Sequence, residues 1–335
     1  MRFSVRFNND LPAMAYAPLA QAAEAAGFDQ FWVSDDLFLR GVWPILSACA
    51  LATRRIALGT CIVNPYTMHP AEIAMQAAAL DELSGGRFHL GVAAGAADFI
   101  EWIGVPYRRP LATTAETLRT LRALFAGAVP ARAARPPAGW NDQAYLRFGT
   151  RPIPLYLGAM SPQMTRMIGE LADGGLPLLF PPESFAETAA LVHAGALAAG
   201  RDPAAIDLAA CVWVSIDDDH AAAEAVLRGK IAYYGAALSD AVLARLGVPR
   251  QAMLAIDEAL HHQRDLARAC ALVTPAMLRI GIAGDAAAVR TRLAGLMAAG
   301  ARHLSIGPPL GPDPLAALAI LGREVLAPLR AMAAR

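Results

Sequence analysis

"LGTCIVNPYTMHPAEIAMQAAALDELSGGRFHLGVAAG", residues 58–95, decides the fold. It opens inside a short apolar run, "RIALGTCIV" (55–63), which reads as a buried strand. A helix follows, with Pro70 in its first turn, where the missing N–H costs nothing. The helix stops at Gly85-Gly86, where a left-handed residue carries no Cβ penalty. A second strand, "RFHLGVAA" (87–94), comes next. Two strands joined through a helix run parallel. Both end in small or polar residues rather than in more core, so their edge is free to face a ligand.

The same rhythm extends in both directions. Strands are read at "RFSVRF", "DQFWVS", "IPLYLG", "LPLLF", "IDLAACVWVSI" and "RHLSIG". Helices follow each, including "SPQMTRMIGELADGG" and the closing "PDPLAALAILGREVLAPL". Eight strand–helix units predict an α/β fold, a single (β/α)8 TIM barrel spanning residues 1–335. A doubly wound sheet is the alternative, but it usually has fewer units. Residues 128–150, rich in Pro, Ala and Gly, read as an insertion loop. Residues 236–280 read as an extra helical insertion between strands seven and eight.

Composition removes several function classes. Apolar residues make up 56% of the chain and charged residues 17%, enough for a large core and too few charges for disorder. Formal net charge is zero, so no field draws nucleic acid or an anionic membrane. No apolar run reaches the roughly 18 residues of a membrane span. Cys49, Cys61, Cys211 and Cys270 are scattered, with no metal spacing, as expected of buried thiols in a cytoplasmic protein. Lys230 is the only lysine, which reads as arginine-biased coding rather than as function. There is no G-x-S-x-G elbow, no Walker loop and no G-x-G-x-x-G fingerprint. "HPAE" at 69–72 is not the zinc helix motif, and His69 reads as a helix-entry residue.

Chemistry on such a barrel sits at the C-terminal strand ends. Those ends carry Asn8 to Asp10, then Ser34, Asp35 and Asp36, then Cys61 to Asn64. Next come Ala93 to Ala96, then Gly158, Ala159, Met160, Ser161 and Gln163, and finally Ser305 and Gly307. Asp35 and Asp36 suit either substrate orientation or capping of the next helix. Ser161-Pro162 opens a helix, whose free N–H groups suit a phosphate or a plain serine cap.

The stretch "NPYTMHPAEIAMQAAALDELSGGRFHLGV" resembles the luciferase-like superfamily of flavin and deazaflavin barrels. Within it, the chain is similar to the methylenetetrahydromethanopterin reductase branch, which uses coenzyme F-420. "AAEAAGFDQFWVSD", "IPLYLGAMSPQM", "GELADG" and "SIGPPLGPDP" carry the likeness nearly end to end. The resemblance implies a hydride-transfer enzyme with a flavin-type ring in the barrel mouth. It implies a non-prolyl cis peptide between Cys61 and Ile62, behind the ring. It implies cofactor contacts from Cys61, Ile62, Val63, Asn64, Ala93 and Gly95. The cofactor phosphate would lie by Gly158, Ala159 and Met160, with Ser161 to Gln163. Relatives also suggest a homodimer or larger homo-oligomer.

Departures from the branch fall at the mouth. Arg6 stands where the branch has a glutamate suited to protonating the substrate, and arginine has no proton to give near neutral pH. Asp35-Asp36 replaces Asp-His, and Ala93-Ala94-Gly95-Ala96 replaces a run ending in aspartate, with Asp98 the nearest acid. Arg6 suggests an anionic group on a small-molecule substrate, or else an ion pair with Asp35 or Asp36. The expectation is an oxidoreductase using F-420 as first choice or FMN, with catalytic residues Asp35, Asp36 and Arg6 and no metal. Asp35 is expected nearest the reacting carbon. The alternatives are an FMN-dependent monooxygenase and a non-catalytic ligand-binding barrel.

Overall fold

The computed structural model describes residues 1–334, apart from the Asp98 side chain. Its strands are β1 (Arg2–Phe7), β2 (Gln30–Val33), β3 (Ala57–Thr60), β4 (Phe88–Val92), β5 (Leu155–Ala159), β6 (Gly174–Pro177), β7 (Asp207–Ile216), β8 (Ile282–Gly284) and β9 (His303–Leu310). Parallel pairing runs β1 to β7 in sequence order, then to β9, and β9 closes onto β1. The eight strands of that ring are the eight read from the sequence. The three-residue β8 was not expected; it lies outside the ring, against Val214–Ile216 at the end of β7.

The helices that matter for the site are α1 (Tyr16–Ala25), α2 (Val42–Ala52), α3 (Pro70–Leu83), α4 (Ala97–Trp102), α5 (Pro110–Phe125), α6 (Pro162–Leu171), α7 (Phe185–Ala198) and α8 (His220–Tyr234). Between α8 and β8 lie α9 (Asp240–Leu246), α10 (Arg250–Asp257), α11 (Leu266–Ala271) and α12 (Pro275–Leu278). Leu243, Leu246, Met253 and Ile256 from these pack on Leu227 and Ile231 of α8. Among the described residues, no helix is long and apolar enough to cross a membrane.

Period-two alternation sorts β1 into two faces. Phe3, Val5 and Phe7 enter the layer between barrel and helices. Ser4 and Arg6 face the barrel interior. One boundary departs from the sequence reading. Gly174-Gly175 reads as a helix stop, yet α6 ends at Leu171 and the glycines begin β6. Contact explains it: a Cβ on Gly174 would lie 2.2 Å from the Tyr156 ring, and one on Gly175 would lie 2.7 Å from Ile168. β3 also ends earlier than the apolar run, at Thr60, before a cis peptide between Cys61 and Ile62.

A polar network fills the lower barrel. Trp32 Nε1 donates to Gln30 Oε1 at 3.0 Å, and Tyr156 donates to Asp207 Oδ2 at 2.5 Å. His303 lies 3.1 Å from Asp207 Oδ1 and 2.8 Å from Ser4 Oγ. Asp207 also pairs with Arg2. Burial raises the Asp207 pKa, but the hydrogen bond and charge of His303 lead the opposing contacts and hold it well below the ordinary carboxylate range. His89 stacks on Tyr156 at 5.4 Å, and burial lowers its pKa from 6.5 to about 4. The unfolded chain therefore takes up a proton at His89 before the folded chain does. The contribution to stability is complete above pH 6.5 and is lost as pH falls toward about 4. The expected loss is about 3 kcal/mol over that window. Thermal unfolding measured across it should fall in the wild type and flatten in His89→Asn.

Candidate active site

The C-terminal strand ends surround a cavity of about 400 Å³. β1 contributes Arg6, the β2 loop contributes Asp35 and Asp36, and the turn after β3 contributes Cys61, Ile62 and Asn64. Ala93, Gly95, Gly158, Ala159, Met160 and Ser161 form the opposite shelf. Two expected residues lie elsewhere. Val63 bridges to Val92 and is fully buried, because the chain resumes strand alternation there and turns it to the core. Gln163 is exposed on the first turn of α6 and does not line the cavity. The Asp98 side chain lies outside the described residues.

Arg6 is 7% exposed. Its Nε donates to Ser305 Oγ at 3.1 Å and its Nη2 to the Val212 carbonyl at 3.0 Å. Gly307 makes the room: a Cβ there would lie 2.2 Å from Nη2. Among the described residues no carboxylate comes within 4.0 Å of Arg6, so the alternative of an ion pair with Asp35 or Asp36 is not formed. Among the described residues Nη1 has no hydrogen-bond partner, and Arg6 lines the cavity.

The two aspartates divide their work. Asp35 Oδ1 accepts from the Val42 N–H at 3.2 Å, capping α2 while still lining the cavity. Burial raises its pKa, and that bond opposes the rise. Asp36 sits in a tighter arrangement. Ser34 Oγ accepts from the Asn9 N–H at 3.1 Å, and lies 2.9 Å from Asn9 Oδ1 and 3.1 Å from Asp36 Oδ2. The Asn9 amide orientation is fixed, since Nδ2 donates to the carbonyls of Asp36 and Arg40 at 3.0 and 2.7 Å. Ser34 has one proton for two acceptors. Asn9 Oδ1 also accepts from the Asp36 N–H at 3.2 Å, so Ser34 can give its proton to Asp36 Oδ2 and leave no acceptor unserved. Burial pushes the Asp36 pKa up, while the hydrogen bond from Ser34 and the charge of Lys230 pull it down.

The shelf fits a planar cofactor. A Cβ on Gly158 would lie 3.0 Å from Ile62 and 3.2 Å from Ala93, so larger side chains there would fill the space over Ile62. Ser161 caps α6, its Oγ accepting from the Met164 N–H at 3.3 Å. The N-terminal end of this ten-residue helix meets the cavity edge at Ser161 and Met164, where an anion is favoured. Burial pushes the Cys61 thiol up to about 12, so it is a wall and not a nucleophile.

The chain matches the luciferase-like monooxygenase family over residues 10–303. It belongs to that family. A 5,10-methylenetetrahydromethanopterin reductase of Methanolobus tindarius is 32% identical over 97% of this chain and 100% of the relative. An F-420-dependent glucose-6-phosphate dehydrogenase of Beutenbergia cavernae is 33% identical over 63% of this chain and 66% of the relative. The solved coenzyme F-420-dependent tetrahydromethanopterin reductase of Methanopyrus kandleri superimposes with a TM-score of 0.89 at 29% identity, covering 97% of this chain and 98% of that one.

Three features of this luciferase-like barrel were not foreseen from sequence. Phe99 and Ile100 of α4, with Tyr107, line the cavity. Above them Trp102 stands 4.6 Å from Phe99 and 6.3 Å from Phe38, and Phe38 takes a left-handed φ of 65° while largely exposed. Sequence signals for such a rim are weak, because loop aromatics have no periodicity. Phe38 is a bulky residue at positive φ, which is the kind of outlier that clusters at working sites. The third feature is Lys230, read from composition as incidental. It lies on α8 beside the mouth, where its charge acts on Asp36.

Proposed function

We propose that this chain is a coenzyme F-420-dependent oxidoreductase that moves a hydride between the deazaflavin and a small organic substrate carrying an anionic group. One observation carries the reading. A single cavity joins a shelf opened by Gly95 and Gly158 to a carboxyl, Asp36, whose pKa burial raises, and to a guanidinium with no carboxylate partner among the described residues. Two of these relatives, the glucose-6-phosphate dehydrogenase and the solved reductase, are F-420-dependent, which favours the deazaflavin over FMN.

When bound, the cofactor supplies the hydride. Ile62, Ala93, Gly95 and Gly158 would hold its ring, and the α6 N-terminus with Ser161 its phosphate. Asp36 gives a proton to the substrate heteroatom that gains negative charge as hydride arrives, and is left as a carboxylate. Arg6 Nη1 holds the anionic group and fixes the orientation of the reacting carbon. Asp35 keeps the loop in place through its bond to Val42, so Asp36 takes the role expected of Asp35. The aromatic rim screens the site from water.

Separate titrations of F-420 and FMN, followed by fluorescence quenching, test this. Tight F-420 binding without FMN binding supports it. Tight FMN binding with oxygen consumption supports the monooxygenase alternative. Binding of neither at tens of micromolar, about −6 kcal/mol, sinks both and favours a ligand-binding barrel. Gly158→Val should weaken F-420 binding about tenfold or more, near 1.4 kcal/mol, because its methyl groups occupy the shelf. Equal affinity in that variant would remove Gly158 from the cradle.

A further inference from the structure

The main cavity sorts its lining by depth, and the order reverses that of an ordinary surface. A guanidinium, Arg6, lies buried on β1 inside the barrel. The outer lip is apolar. Leu37, Phe99 and Met160 line the cavity, and Met160 is 62% exposed. Trp102 packs 4.6 Å from Phe99 and is 63% exposed. Phe38, 6.3 Å from Trp102, is 73% exposed. Apolar surface therefore runs from inside the cavity out onto its rim.

The two sides of this lip are firmly held. Phe38 comes from the loop after β2 and Trp102 from α4, after β4. β3 lies between those strands, so the pair spans the turn that carries Cys61, Ile62 and Asn64. Asn9 Nδ2 donates to the carbonyls of Asp36 and Arg40, which fixes the chain on either side of Phe38. Tyr107 Oη donates to the Gly95 carbonyl at 3.4 Å, and its ring lies 4.9 Å from that of Tyr66, which fixes the chain after α4. Phe38 keeps a φ of 65°, a conformation that disfavours a bulky side chain, and gains little burial in return. Exposed apolar rings in a fixed and strained setting point to a ligand rather than to folding.

Building on the proposed role of Arg6, we propose that Phe38, Phe99 and Trp102 form a subsite for the apolar body of the substrate, which is therefore an amphipathic organic anion. Its charged end enters first and reaches Arg6. Its apolar body stays at the lip, against the three rings. Two contacts of different kinds, at two depths, fix the reacting carbon between them. A ligand is favoured over a second copy of this chain because the apolar surface is continuous with the cavity, and Phe99 belongs to both. Phe38 and Trp102 then determine specificity: they select the body of the substrate, as Arg6 selects its head.

The probes are ω-phenylalkanoates, from phenylacetate to 8-phenyloctanoate, bound to the full chain with and without F-420 and followed by calorimetry. Wild-type affinity is expected to rise about twofold to fourfold per CH2 as the phenyl ring moves out to the lip. Phe38→Gly and Trp102→Ala should bind phenylacetate as the wild type does, and 8-phenyloctanoate about tenfold more weakly. Both side chains are mostly exposed, and glycine suits the φ at position 38, so folding should survive. Arg6→Met should weaken every member by a similar factor. A wild-type series flat with length overturns the proposal and leaves the Arg6 reading standing. So does a length dependence that the rim variants do not change. Equal losses at every length in those variants show a packing role and overturn it. Long probes that bind Arg6→Met as well as wild type show an apolar lip without an anionic head, and overturn the amphipathic assignment. A rim covered by a second copy would change the oligomeric state of Trp102→Ala and leave the series unaltered, which also overturns it. The series can be read without cofactor, so its failure is distinct from failure of the oxidoreductase reading, which the F-420 titration tests.

Discussion

Asp36→Asn is expected to keep the fold and cofactor affinity while slowing hydride transfer about 100- to 10,000-fold, the usual worth of a general acid. The reason lies in the hydrogen-bond count. Asparagine keeps an oxygen to accept from Ser34, so the Asn9–Ser34 loop stays satisfied. It has no carboxyl proton to release to substrate. The pH dependence has a definite sign. A carboxyl whose pKa is raised by burial keeps its proton to higher pH, so reduction should be fast below its folded pKa and fade as pH rises through it. Ser34→Ala should move that limb upward, because it removes the hydroxyl contact that pulls the pKa down. Single-turnover hydride transfer, followed by cofactor absorbance, separates this from product release. An unchanged rate in Asp36→Asn would take the proton-donor role from Asp36.

The barrel was legible because its strands are apolar runs ended by small residues, with helices between them stopped by glycine. Boundaries set by long-range contact were not. Gly174 and Gly175 look like a helix stop, and only the Tyr156 ring and Ile168 packed against them show that they belong to a strand. Strand-end position correctly brought Arg6, Asp35 and Asp36 to one cavity. It could not divide the aspartates, since which of two adjacent carboxyls caps α2 depends on where the Val42 N–H points. Arg6 presented the opposite problem. Sequence allowed an ion pair, and the structure shows its guanidinium spent on Ser305 and a strand carbonyl instead. Lys230 was hidden because it lies inside a helix, more than 190 residues from Asp36, and a count of lysines says nothing of burial.

Arg6→Met is expected to raise KM for the anionic substrate about 100-fold, with a smaller change in kcat. A buried charge that binds an anion loses about that much when truncated, because the partner is left unpaired. The fold should survive. Methionine abandons the Val212 carbonyl, which costs about 1–3 kcal/mol, but it also removes a buried guanidinium that has no carboxylate partner among the described residues. These oppose each other, so the unfolding temperature should move little. Lysine should not rescue the variant, because the three donors of an ammonium radiate from one nitrogen and cannot span Ser305, Val212 and the cavity as the planar guanidinium fork does. Gly307→Ala gives an independent route to the same loss, since its Cβ would lie 2.2 Å from Nη2 and push the guanidinium off its seat. A neutral analogue lacking the anionic group should bind wild type and Arg6→Met alike. If the analogue loses as much affinity as the anion does, Arg6 shapes the cavity rather than recognising charge, and the anionic-substrate reading falls.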